Sequence, residues 1–186
     1  MTKAKSNVMT DFGAPIIVLV LICAIMSGLL AFTNGITEPI ITAAEEEAKK
    51  AARIEVLPSA EDFEEVVVDG LPEAITEVYK ATNGTGYTFS ITAQGYGGKN
   101  TLNMAVGIDM DGKITGTKVL KHSETVGLGS KITTDAFKDQ FPGKDASYVS
   151  DIKNIDTISG ATRSSNFYRL ALSYAFEAFD MVKEGA

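Results

Sequence analysis

The chain has 186 residues, with 24 Asp and Glu against 17 Lys and Arg and a formal charge of −7. That balance excludes a general nucleic-acid binder, which needs a basic footprint to displace counterions from phosphates. The single cysteine, Cys23, excludes a disulfide framework and CxxC metal sites, and the single histidine, His122, excludes HExxH zinc chemistry.

Residues 12–37 carry no charged side chain, and within them the stretch 14–32 leaves the apolar set only at Pro15, Ser27 and Gly28. At ~1.5 Å per residue this stretch covers roughly 28 Å, close to the ~30 Å hydrocarbon core of a bilayer. The rival reading is a cleaved signal peptide, whose apolar region is shorter and ends in a small-x-small site. Ala31-Phe32-Thr33-Asn34 offers no such site. A retained single-pass anchor in the cell (inner) membrane is the better expectation, with Cys23 as a small apolar residue inside it. Lys3 and Lys5 precede the span, and Glu38 and Glu45-Glu46-Glu47 follow it. The positive-inside rule then puts residues 1–11 in the cytoplasm and the chain beyond about residue 34 outside.

Acidity is concentrated after the anchor: residues 38–77 carry a net −9, and residues 78–186 a net +1. Residues 42–57 read as a helix, with Thr42 as its cap, acids in the first turn, Glu45/Lys49 and Glu46/Lys50 pairs, and Pro58 beyond. A solvated stalk is the preferred reading, although Ile54 and Leu57 would also give a partner-docking helix a modest apolar end. The expected organisation is a cytoplasmic terminus (1–11), an anchor (12–37), a stalk helix with a first strand region (38–77) and a main domain (78–186).

The period then becomes alternating. Residues 64–69, 75–81, 87–93, 102–109 and 114–121 are strand candidates rich in Val, Ile, Thr and Tyr. Asp111-Gly112 centres a hairpin turn between the last two. Residues 134–141 read as a short helix ended by Pro142-Gly143. Residues 163–183 read as a long one, with Phe167, Leu170, Ala171, Tyr174, Ala178, Met181 and Val182 at three- and four-residue steps. The expected fold class is α+β: one twisted antiparallel sheet packed against helices, behind a single N-terminal transmembrane helix.

Three glycine-bearing motifs stand on this scaffold. Asp156-Thr157-Ile158-Ser159-Gly160-Ala161-Thr162-Arg163-Ser164-Ser165 leads into the long helix, bringing hydroxyls, small residues and helix N–H groups together. By itself it is either an anion site, with Arg163 adding charge, or simply a well-capped helix start. His122-Ser123-Glu124-Thr125-Val126-Gly127-Leu128-Gly129 is either a ligand loop rich in open N–H groups or a polar connection. His122 has no evident nucleophile or orienting carboxylate in sequence, so no catalytic residue is assigned. Gly95-Tyr96-Gly97-Gly98 is either a place of close ligand approach or a wide turn.

Together these motifs resemble the covalent FMN-binding domain family. Asp156-x-x-Ser159-Gly160-Ala161-Thr162-x-Ser164-Ser165 looks like its flavinylation motif. The Gly95–Gly98 turn, the Asp111-Gly112 hairpin and Glu124-Thr125-x-Gly127-Leu128-Gly129 follow in the family's order. With the anchor, the match is nearest to the G subunits of Rnf ion-translocating electron-transport complexes. It is more distant from the C subunits of sodium-pumping NADH:quinone reductases, which are usually longer. One departure is Val126, where family members often have Pro.

The resemblance implies an FMN esterified through its phosphate to the Thr162 hydroxyl, attached by a separate flavin transferase that uses FAD and Mg2+. It implies cofactor contacts from Ser159, Gly160, Ala161, Arg163, Ser164 and Ser165, from Glu124, Thr125, Gly127, Leu128 and Gly129, and from Tyr96. No metal ligand and no nucleic-acid partner is implied. The implied role is that of an electron-transfer subunit of a ferredoxin:NAD+ translocase, with the other membrane subunits and the lipid bilayer as partners. The alternatives are a stand-alone anchored flavoprotein carrier and a non-redox assembly or adhesion domain.

Overall fold

The computed structural model describes residues 13–184, so the N-terminal segment 1–11 with Lys3 and Lys5 lies outside the described residues. Two compact units are present, Met1–Glu46 and Glu47–Ala186.

In the first unit the apolar side chains of helix α1 (Ala14–Val56) are exposed along the helix from Ile16 to Ile41. This is the one described helix long and apolar enough to cross a membrane. The separate span and stalk helix expected from sequence are instead a single 43-residue helix with Pro39 inside it. Pro39 has no N–H for the Gly35 carbonyl, and its ring crowds that carbonyl. Around it the hydroxyls of Thr33, Thr37 and Thr42 donate to the carbonyls of Leu29, Thr33 and Glu38 at 2.9, 2.8 and 3.0 Å. Thr42 is therefore interior to the helix and caps nothing.

The second unit is built on five antiparallel strands in sequence order: β1 (Phe63–Glu65), β2 (Ile75–Ala81), β3 (Gly86–Gly95), β4 (Gly98–Asp109) and β5 (Ile114–His122). Helix α4 (Thr162–Glu184) covers one face. Its Tyr168, Leu172, Phe176 and Phe179 join Phe89 and Ile91 of β3 and Met104, Val106 and Ile108 of β4 in the main core. The intervening β4 residues Ala105 and Gly107 point to the other face, as a strand's period of two requires. There the last turns of α1 pack, with Ala52 and Val56 beside Ala105 and Leu120.

Those last turns are docked on the sheet, which corrects the solvated-stalk expectation. The docking residues are Ala52, Arg53, Val56 and Leu57, whereas Ile54 is exposed. The helix needs Gly107 and Gly116, cross-strand partners whose missing Cβ atoms leave room for the Val56 main chain. Thr115 Oγ1 donates to the Val56 carbonyl, Lys118 pairs with Glu55 at 2.9 Å, and Lys49 pairs with Glu77 at 2.6 Å. The buried Arg53 guanidinium stacks 3.5 Å above the Tyr79 ring and reaches Glu77 at 3.3 Å.

Other differences are local. The first strand is Phe63–Glu65 rather than 64–69, because beyond Val66 the chain leaves the β2 ladder toward Pro72. The short helix expected at 134–141 is reduced to α2 (Asp135–Lys138), preceded by a 3-10 turn over Gly129–Thr133. Helix α3 (Ala146–Ser150) was not anticipated. It begins where the Asp145 carboxylate accepts from the Ser147 N–H and hydroxyl, at 3.0 and 2.6 Å. These bonds, the hydroxyl's first, hold its pKa below the ordinary aspartate value.

Candidate functional site

Three chain segments meet beside the first turn of α4: the β3–β4 turn, the loop after β5, and residues 158–164. They enclose a cleft of about 330 Å³ lined by Tyr96, Thr125, Leu128, Gly129, Gly160, Ala161, Thr162, Arg163 and Ser164. That volume lies at the lower end of the ~300–1,000 Å³ usual for small-molecule sites.

The α4 side is set by a tight turn in which Ala161 N–H donates to the Ile158 carbonyl at 2.9 Å. Gly160 occupies its third position with φ +78°, a left-handed value at which a Cβ would be strained. The first helical bond runs from Ser165 N–H to the Ala161 carbonyl at 3.1 Å. The N–H groups of Thr162, Arg163 and Ser164 lie ahead of that bond and have no carbonyl within the helix.

The two readings left open by the sequence turn on what meets these donors. The residue before the first helical one is Ala161, whose side chain has no oxygen to cap them. The Ser165 hydroxyl is buried, accepts from Ile158 N–H at 3.1 Å and donates to the Ala161 carbonyl at 3.3 Å. The Ser164 hydroxyl donates to the Glu124 carboxylate at 2.5 Å. Neither serine hydroxyl serves the first turn. The positive end of a 23-residue helix thus opens on the cleft beside the exposed Thr162.

Across the cleft stand Tyr96 and Leu128, both large and partly exposed. The Arg163 guanidinium lies 5.7 Å above the Tyr96 ring and 5.9 Å from that of Phe167, so its charge is held over the same opening.

The loop after β5 differs from an array of open donors. Glu124 N–H donates to His122 Nδ1 at 3.2 Å, Gly127 N–H to Ser130 Oγ at 2.9 Å, and Leu128 N–H to the Thr125 carbonyl at 3.2 Å. These bonds close the loop on itself and fix Leu128 and Thr125 at the rim. Val126 is almost fully exposed.

Nine of the thirteen residues named from sequence therefore line the cleft, and four do not. Ser159 and Gly127 are exposed outside it, Ser165 is buried behind it, and Glu124 is buried beneath it. Sequence reasoning missed the tie from Glu124 to Ser164 and Tyr96, for which no local spacing is a signal.

An open helix head, an exposed hydroxyl and Arg163 suit a phosphate-bearing group, and Tyr96 with Leu128 suits a flat apolar body attached to it. The FMN-binding domain model matches residues 95–177, from the Gly95 turn into α4. The chain thus carries an FMN-binding domain behind a helix long and apolar enough to cross a membrane.

The chain is 36% identical over 159 residues to the G subunit of the ion-translocating oxidoreductase complex of Methanosarcina acetivorans, covering 81% of this chain and 85% of that one. It is 37% identical over 145 residues to the G subunit of the Na(+)-translocating ferredoxin:NAD(+) oxidoreductase complex of Acetobacterium woodii, covering 70% and 69%. The G subunit of a proton-translocating ferredoxin:NAD(+) oxidoreductase complex from Clostridium ljungdahlii matches at 26% over 168 residues, 86% of each chain. The chain belongs to the G-subunit family of ion-translocating oxidoreductase complexes.

Proposed function

We propose that this chain carries FMN as a phosphoester on Thr162 and passes electrons within a membrane complex that links ferredoxin and NAD+, the couple named for two of its relatives. The observation that supports it is the uncapped head of α4 opening beside the exposed Thr162 hydroxyl, with Arg163, Tyr96 and Leu128 around one cleft.

Thr162 supplies the oxygen. Its Oγ would hold the FMN phosphate as an ester, taking the place of AMP on the flavin-side phosphorus of FAD and releasing the hydroxyl proton. A separate transferase with Mg2+ performs this step. The phosphodiester that results stays anionic, and the N–H groups of Thr162, Arg163 and Ser164 with the helix dipole favour that charge. Leu128 and Tyr96 offer apolar area to the ring system and shield one side from water. Bound FMN supplies one- and two-electron redox chemistry, and the protein contributes position and electrostatics. None of the chain's side chains is required as an acid or base for electron transfer itself.

In this reading α1 is the anchor, residues 1–11 are cytoplasmic and the flavin domain lies outside the cytoplasm, against the bilayer and the other subunits. A covalent tether suits that location, since a dissociable cofactor would be diluted away.

The test is in-gel flavin fluorescence of the denatured full chain after co-expression with the transferase. A fluorescent wild-type band and a dark Thr162→Val band are expected. A dark wild type with an active transferase would overturn the reading.

A further inference from the structure

Glu124 is 6% exposed and does not line the cleft, yet both of its carboxylate oxygens are engaged at the cleft's walls. Oε1 accepts from the Tyr96 N–H at 2.8 Å and Oε2 from the Ser164 hydroxyl at 2.5 Å. The carboxylate thus joins the β3–β4 turn to the first turn of α4, segments far apart in sequence. Two glycines make room for it. A Cβ on Gly95 would lie 2.8 Å from Oε1, and one on Gly129 would lie 2.7 Å from Oε2 and from Ser164 Oγ.

The chemistry of the pair fixes the direction of a proton. A carboxylate only accepts, so the Ser164 O–H must point at Glu124 and away from the cleft. Charge-assisted bonds of this kind are among the stronger ones, and burial strengthens them further. The Ser164 hydroxyl therefore cannot donate to an anion at the head of α4 while Glu124 holds it.

We propose that Glu124 is a positioning residue: its carboxylate locks the Tyr96 turn to the head of α4, sets the spacing between Tyr96 and Thr162, and turns the Ser164 proton inward. The phosphate is then met by main-chain N–H groups and Arg163, with Thr162 presented at a fixed place. The proposal rests on the reading of the cleft as the FMN site, but the lock itself is a property of the unloaded chain.

The test uses the full chain in detergent, expressed with and without the transferase. Amide hydrogen exchange is read at Tyr96 and Ser165, and flavin yield by in-gel fluorescence. Glu124→Ala is expected to exchange about tenfold faster or more at Tyr96, whose N–H loses a charge-assisted bond, and measurably faster at Ser165, whose bond to Ala161 closes the turn that Ser164 no longer anchors. Its flavin yield should fall about tenfold while β4 amides stay protected.

Glu124→Gln still accepts from the Tyr96 N–H through its carbonyl and donates to Ser164 Oγ through its amide, which keeps the lock while freeing the Ser164 proton. Protection at both amides is expected within about threefold of wild type, and yield likewise, because the lock rather than the proton's direction sets the spacing. Wild-type exchange at Tyr96 in Glu124→Ala would overturn the proposal. So would loss of flavin with exchange unchanged, or a Glu124→Gln variant as impaired as Glu124→Ala. Should Glu124→Ala fail to fold, Ser164→Ala decides: faster exchange at Ser165 with Tyr96 still protected supports the lock, and unchanged exchange at Ser165 overturns it. A wild type that takes no flavin from an active transferase defeats the cleft reading alone, and the exchange comparison still decides the lock.

Discussion

The carbonyl of Val56 rests on Gly107: a Cβ on that glycine would lie 2.3 Å from the Val56 oxygen. Gly116, paired with Gly107 across the ladder, also faces Val56: a Cβ there would lie 2.9 Å from the Val56 Cα. The end of α1 thus reaches the sheet main chain to main chain, through a gap that two glycines leave in the outer face of β4 and β5.

Gly107→Ala should therefore unseat the end of α1. Overpacking of this kind costs about 1–3 kcal/mol. Thermal unfolding of the full chain in detergent should show a lowered Tm for Gly107→Ala. Gly28→Ala, where a Cβ meets nothing within 4 Å, should leave the unfolding of the unit Glu47–Ala186 unchanged. Equal Tm values for wild type and Gly107→Ala would contradict the docking.

Gly160→Ala should strain the turn before α4. The left-handed backbone costs a residue with a Cβ about 1–2 kcal/mol, and the new methyl would approach Leu128 Cδ1 to 3.2 Å. Overall stability should drop slightly and covalent flavin more steeply, because the turn aims Thr162. Fluorescence per mole of folded protein separates the two effects.

Tyr168 should govern the alkaline limit of the fold. Its hydroxyl, fully buried, donates to Thr117 Oγ1 at 2.7 Å and links α4 to β5. Burial raises its pKa far above the ordinary value of 10.0, and the bond to Thr117 offsets only part of that rise. A raised folded-state value means that the unfolded chain ionises first. The stabilisation is complete below pH 10 and is lost as pH climbs above it. Tyr168→Phe should cost about 1–2 kcal/mol at neutral pH and should flatten the loss of Tm above pH 10. An equally steep decline in that variant would contradict this assignment.

Legibility followed the range of the interactions involved. Strand β2 runs Ile75–Ala81, as its alternation indicates, and α4 begins one residue before and ends one residue after the expected span 163–183. Both patterns record burial of one face, which is written locally. Helix α1 was less legible because Pro39 and Thr42 are terminus signals. The helix nevertheless runs through both of them to Val56, with Thr37 and Thr42 bonded back to carbonyls one turn earlier. Helix α3 was within reach, since Asp145 two residues before Ser147 is an ordinary cap. At the cleft the lining residues stood out as small, hydroxyl or aromatic positions in three motifs. The lock from Glu124 to Ser164 did not, because it spans 40 residues, and Gly129, which makes room for it, does not by itself name the partner.

The most direct test is peptide mass mapping of the full chain purified after co-expression with the transferase. One modified peptide is expected, carrying the mass of FMN less one water, with fragmentation placing the addition on Thr162 and Thr162→Val unmodified. An addition on Ser159, Ser164 or any other residue, or its persistence in Thr162→Val, would contradict it.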